Sequence, residues 1–173
     1  DRVLTVNGVS KAYSMTGWRL GFCGGPQDLI KAMSNVNTQN SGGVTTLTQA
    51  AAVAVLNGPQ DLLKERAEIY RQRRDYVQQR LTSVHELRCH KPQGAFYLFV
   101  NIEGCIGKTT AGGRHINSDA DFVMALIEEK HVVTVQGAAY GMSPYFRISY
   151  ATSMEVLQDG CDRIAAFCAE LKS

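Results

Sequence analysis

Apolar positions along the chain follow two periods, and the change from one to the other marks out the elements. Arg2 to Val9 is short and rich in β-branched residues, which predicts a buried strand ending at Gly8-Val9-Ser10, with Lys11 at its end. Leu20 to Cys23 predicts a second strand, closed by Gly24-Gly25-Pro26. Pro26 suits a first helical turn and Gln27-Asp28 a helix N-terminus, and Leu29, Ile30, Met33 and Val36 then recur on one helical face. After the polar loop Gln39 to Gly43, Val44 to Leu56 is apolar nearly all round, the pattern of a buried helix, and Asn57-Gly58-Pro59 stops it. Leu63, Tyr70 and Val77, with Ala67 and Leu81, make one stripe over residues 60 to 83. A helix of that length spans roughly 35 Å at 1.5 Å per residue, enough to bridge two domains.

Past this helix the period shortens. Pro92-Gln93-Gly94 is a turn and Ala95 to Ile102 an aromatic, β-branched strand. Glu103 to Asn117 is a loop rich in Gly and Thr. Ser118 with Asp121 opens a helix whose buried face is Phe122, Val123, Leu126 and Ile127. Val132 to Val135 predicts a strand and Gly137 to Tyr145 a loop. Phe146 to Tyr150 alternates, with Phe146, Ile148 and Tyr150 on one face and Arg147 and Ser149 on the other. Thr152-Ser153-Met154-Glu155 reads as a capping box before a helix lined by Leu157, Cys161, Ile164, Cys168 and Leu171. The order predicts an α/β assembly with a boundary near Gly58, dividing residues 1–58 from 59–173.

Composition narrows the class without naming a function. The chain has 173 residues, 45% hydrophobic and 20% charged, the profile of an ordinary globular protein. A net charge of +2 gives no argument for nucleic acid or an anionic membrane, and the arginines between Arg66 and Arg80 are interleaved with Glu68 and Asp75 as on a solvated helix face. Five cysteines without a CxxC pair disfavour a disulfide framework or a zinc site, and fit a reducing compartment such as the cytoplasm. No apolar run has the length of a membrane span and no secretory leader is visible. The histidines form no spaced ligand set, so no metal is expected. Gly104-Cys105-Ile106-Gly107-Lys108-Thr109 has two residues between its glycines where a phosphate-binding loop needs four.

Three side chains carry the candidate chemistry. Lys11 follows a strand in a Ser/Gly-containing turn, where burial would lower the amine pKa and free it to attack an aldehyde. Arg19 stands eight residues on, and a guanidinium grips phosphate in a bidentate way that lysine cannot. Enzymes that use pyridoxal 5'-phosphate need both chemistries close together. Arg147, alone among apolar neighbours in its strand, has the fork to bind a carboxylate.

Ser10-Lys11-Ala12-Tyr13-Ser14-Met15-Thr16-Gly17-Trp18-Arg19-Leu20-Gly21 resembles the lysine-attachment motif of the class I, fold type I aminotransferases of the aspartate and aromatic branch. Pro92 to Tyr97 and Val135 to Ala151 resemble later segments of the same family in the same order, so the likeness covers nearly the whole chain. It implies the C-terminal part of a fold type I transferase: the end of the large cofactor domain over residues 1–58, and an α/β small domain with an interdomain helix over 59–173. It implies that Lys11 holds pyridoxal 5'-phosphate as a Schiff base and moves the substrate proton, that Arg19 binds the cofactor phosphate with Ser10 adding a hydroxyl, and that Arg147 binds the substrate α-carboxylate. An amino acid and a 2-oxo acid would be the substrates, in a cytoplasmic homodimer.

Two departures stand out. Gly8 occupies the place where many relatives carry a hydroxyl, and Asn40-Ser41-Gly42-Gly43 differs from the usual loop near the family's dimer interface. The family's acid to the pyridine nitrogen, tyrosine to the cofactor oxygen and stacking aromatic all precede the lysine, so the chain is expected to be inactive by itself. A carbon–sulfur lyase on the same fold, or the sensory domain of a transcription regulator built on it, are the other readings of the sequence.

Overall fold

A computed structural model describes residues 2–173. The chain divides into two compact units, one up to Arg66 and one from Ala67 to Ser173.

The first unit opens with an antiparallel ribbon of β1 (Thr5–Gly8) and β2 (Gly21–Gly24), in register from Thr5 opposite Gly24 to Gly8 opposite Gly21. Two glycines face each other at the last rung because the backbones close in there: a Cβ on Gly8 would stand 3.1 Å from the Leu20 carbonyl oxygen. Helices α1 (Gln27–Asn40) and α2 (Thr46–Asn57) follow, the second capped by the Thr45 hydroxyl, which accepts from the Thr48 N–H at 3.3 Å. Among the described residues, buried apolar side chains are few: Val9, Met15 and Ala52, with Tyr13, Leu20, Ala51 and Val55 packed around them.

Two expectations are corrected here. The first strand is not buried, since Thr5, Val6 and Asn7 are all exposed, and α2 buries only Thr48 and Ala52 and leaves Leu47 72% exposed. A two-stranded ribbon has no second layer of its own, so its β-branched run, like the apolar surface of α2, is covered only where another element lies over it.

The division between the units falls within α3 (Asp61–Thr82), the long helix expected from the stripe. The second unit holds a four-stranded antiparallel sheet in the order β3 (Arg88–Cys89), β4 (Tyr97–Asn101), β6 (Tyr145–Ser149), β5 (Val135–Gln136). Helices α4 (Asp119–Lys130) and α5 (Met154–Ala169) supply the core with it. Leu98, Val100, Phe146 and Ile148 form the inner face; Phe122 stacks on Phe146 at 5.4 Å and meets Phe167 edge-on at 5.2 Å, and Val77 and Leu81 of α3 join the same cluster. Fully burying one such side chain stabilises by about 1.5–3 kcal/mol.

Local signals hold closely in this unit. The Ser118 hydroxyl accepts from the Asp121 N–H at 3.2 Å and donates to its carboxylate at 2.9 Å. The α5 cap is Ser153, accepting from Val156 N–H, one residue beyond the expected Thr152. The strand expected at Val132–Val135 shrinks to β5, with Val133 79% exposed, and β3 is a strand the pattern did not predict. Two residues are too few to display a period.

Candidate active-site elements

Ser10, Lys11 and Arg19 all lie in the connection between β1 and β2. Ser10 carbonyl accepts from Met15 N–H at 3.1 Å and Lys11 carbonyl from Ser14 N–H at 3.2 Å, so the chain turns tightly at the lysine. A short 3₁₀ turn, Thr16–Trp18, delivers Arg19. Ser14 and Arg19 both have positive φ, 55° and 51°, a region that L side chains adopt sparingly. Several anchors enforce this shape. Val9 and Met15 are buried. The Tyr13 hydroxyl donates to Gln60 Oε1 at 2.7 Å, Gln60 Nε2 in turn donates to the Gly58 carbonyl at 2.7 Å, and Arg66 donates to the Ala12 carbonyl at 3.0 Å.

Lys11 and Arg19 are themselves exposed and Ser10 is half-buried. Burial of the lysine amine, expected from its neighbours in sequence, is therefore not found in this chain: Val9 and Met15 are buried while Lys11 is exposed. Arg19 Nη1 donates to the Thr16 carbonyl at 3.1 Å, a local bond that orients the guanidinium. One connection thus gathers a primary amine, a hydroxyl and a guanidinium. As a donor set it fits a phosphorylated aldehyde: the amine for the carbonyl carbon, the other two for the phosphate.

Arg147 stands in the second unit, on β6. Alternation places Phe146 and Ile148 in the core and Arg147, half-buried, on the opposite face. Phe99 of β4 and Val135 of β5 are its direct cross-strand neighbours. Two tyrosines flank it, with the Arg147 Cζ 4.2 Å from the Tyr97 ring centroid and 4.5 Å from that of Tyr140. Both are within cation–π range. Among the described residues the Arg147 guanidinium makes no hydrogen bond or ion pair, although ten ion pairs are formed elsewhere. A half-buried, always-charged fork without a carboxylate is suited to an anion that arrives from outside.

The family model for aminotransferase class I and II matches residues 1–164. The chain belongs to the class I and II aminotransferase family. Aspartate aminotransferase of Rhizobium meliloti (strain 1021) is 53% identical over 99% of this chain, and an aspartate/prephenate aminotransferase of Cereibacter sphaeroides 51% identical over the same share. The crystal structure of the Rhizobium meliloti aspartate aminotransferase superposes with a TM-score of 0.96 at 52% identity, covering 99% of this chain and 43% of that one. An alanine aminotransferase from Pyrococcus furiosus superposes with a TM-score of 0.83 at 33% identity, over 97% of this chain and 42% of that one. The mixed α/β architecture is therefore that of aminotransferase structures, and the chain spans about 42% of the length of the curated relatives it matches. No group of three His, Cys, Asp or Glu side chains among the described residues is placed to hold a metal, and no helix there is long and apolar enough to cross a membrane.

Sequence reasoning did not single out Tyr97, Phe99, Tyr140 or Asp119. For Tyr97 and Phe99 a signal existed: alternation within β4 sets them opposite buried Leu98 and Val100. For Tyr140 and Asp119 there was none, because their relation to Arg147 depends on a turn that residues distant in sequence hold against α4.

Proposed function

We propose that this chain is the C-terminal part of a pyridoxal 5'-phosphate-dependent aminotransferase, which moves an amino group from an aspartate-type or aromatic amino acid to a 2-oxo acid. The observation that carries the proposal is the β1–β2 connection, where amine, hydroxyl and guanidinium are set by one tight, anchored turn. Residues 1–58 are assigned to the end of the cofactor domain and 59–173 to the small domain.

Bound there, pyridoxal phosphate supplies an electron sink for the carbanion at the substrate Cα. The chain's own groups do the rest. Lys11 Nζ would be the attachment point, and its amine would take the Cα proton as general base and later return one as general acid. Arg19 and the Ser10 hydroxyl hold the phosphate. Arg147 binds the substrate α-carboxylate through its N–H edge, which fixes the Cα for that transfer. Relatives named for aspartate and for aspartate with prephenate support a dicarboxylic donor. The protein is proposed to act as a homodimer in the cytoplasm.

The test uses the full-length protein. Borohydride reduction followed by peptide mapping should place a stable cofactor adduct on Lys11; a Lys11→Ala protein that still gives a reducible adduct sinks the assignment. Activity that requires a 2-oxo acid and releases no ammonia supports amino transfer, whereas ammonia and thiol release without one points to a lyase. Truncation of Arg147 to Ala should cost about 2–5 kcal/mol in kcat/KM.

A further inference from the structure

Resting on the reading of Arg147 as the carboxylate-binding residue, we propose that Tyr97 and Tyr140 are its positioning residues, and that Asp119 sets Tyr140 in place. Both rings lie within 4.5 Å of the same Cζ, one from β4 and one from the turn after β5. Rings hold a guanidinium by its π-face and leave its N–H edge unengaged. Acidic partners would hold it too, but they would occupy the edge that a carboxylate must reach. The aromatic pair therefore solves a specific problem: it restrains a long, rotamer-rich side chain without using up its donors.

Tyr140 is not placed by strand pairing. It ends the 3₁₀ turn Gly137–Tyr140, and three features define that turn. Gly137 has no room for a side chain, since a Cβ would overlap the Met142 carbonyl oxygen and stand 2.8 Å from that of Tyr145. Gly141 follows Tyr140 at φ 68° and donates to the Ala138 carbonyl at 3.0 Å. Asp119, 1% exposed in the first turn of α4, accepts the Ala138 N–H on Oδ2 at 2.8 Å. A carboxylate in a first helical turn is favoured by the helix dipole, so α4 fixes Asp119 and Asp119 fixes the turn. Phe99 closes the arrangement by meeting the Tyr140 ring edge-on at 5.6 Å.

The experiment uses the full-length, cofactor-loaded protein and two readouts: KM for the amino-acid substrate, and the inhibition constant of succinate, which carries carboxylates but no amine. Tyr140→Leu and Tyr97→Leu are each expected to raise both constants about five- to twentyfold, the loss of one desolvated cation–π contact, with kcat within about threefold. Tyr140→Phe and Asp119→Asn, which keep the ring face and the acceptor oxygen, should recover most of the loss, and Asp119→Ala should not. A second measurement is independent of turnover. In the cofactor-free protein the Arg147 Nε–H resonance should carry an upfield ring-current shift that shrinks in Tyr140→Leu and in Tyr97→Leu. If Tyr140→Leu does not fold, the Tyr97→Leu and Tyr97→Phe pair decides by the same readouts. Should Arg147→Ala raise KM while both leucine variants leave the two constants unchanged, this inference alone is overturned. Should Arg147→Ala leave KM unchanged, the carboxylate reading falls and takes this inference with it.

Discussion

The two units spend their apolar residues differently. In the second, twenty buried side chains from α3, α4, α5, the sheet and the connections between them merge into one cluster that includes Phe122 and Phe146. In the first, three do so, while Val36, Leu47 and Val53 stand 69%, 72% and 59% exposed on well-formed helices. Their secondary structure is equally regular, so the contrast lies one level up. Local pattern is enough to specify a helix; burial needs a second layer to face it. Small units bury a lower fraction of their surface, and α1 has no buried residue in fourteen.

The sharpest way to break the comparison is to remove core from the second unit. Phe122→Ala should cost about 3–5 kcal/mol, read by chemical denaturation with a probe in α4 or α5. A loss under 1 kcal/mol would mean that this cluster is no better packed than the first unit, contrary to roughly the full cost of a large core cavity. Next comes Gly137→Ala, expected to cost about 1–3 kcal/mol because a Cβ forces the Met142 and Tyr145 carbonyls apart. It should also loosen Tyr140, so line broadening at Tyr140 ought to accompany the drop in stability.

Acid titration tests a polar contribution in the same unit. Lys108 Nζ donates to Glu86 Oε1 at 3.0 Å, and this bond holds the Glu86 carboxyl below the usual carboxylate range. A depressed folded-state pKa stabilises the fold above the unfolded value, near about 4.3, and the gain is lost as pH falls through the lower folded value. The pair is partly solvated, so the effect should stay below about 1 kcal/mol. Comparing stability from about pH 6 to about pH 3 in the parent and in Lys108→Met should show a shallower acid limb in the variant. Smallest of all, Val36→Ala should change the stability of this chain by no more than about 0.5 kcal/mol. Hydrogen exchange should then find α1 amides opening well before those of α4, and protection of α1 equal to α4 would dissolve the contrast between the units.

Much of the fold was legible in the sequence because its signals are short-range. The stripe through Leu63, Tyr70 and Val77 marked α3 closely, Ser118 with Asp121 marked the start of α4, and alternation through Phe146 to Tyr150 put Arg147 opposite the core. The candidate residues could be picked out for the same reason: Ser10, Lys11 and Arg19 are close in sequence, and all three lie in the connection between β1 and β2. Where the reading erred, it treated apolar content as burial, for β1 and for α2. Hydrophobicity states what a segment would gain by being covered, and coverage itself is supplied by residues elsewhere.

The sequence by itself determined the helices and most strands, the Ser118 cap of α4, the turn at Lys11 and the face on which Arg147 stands, since periods, caps and turns are decided within a few residues. The tertiary structure decided that β4 lies between β3 and β6, which sets Tyr97 near Arg147, and that the turn after β5 brings Tyr140 to the same guanidinium. It also decided that Asp119 is spent on the turn carrying Tyr140 and that Lys11 is exposed. Those outcomes depend on register and layering between segments far apart in the chain, and no local period encodes which distant segment arrives.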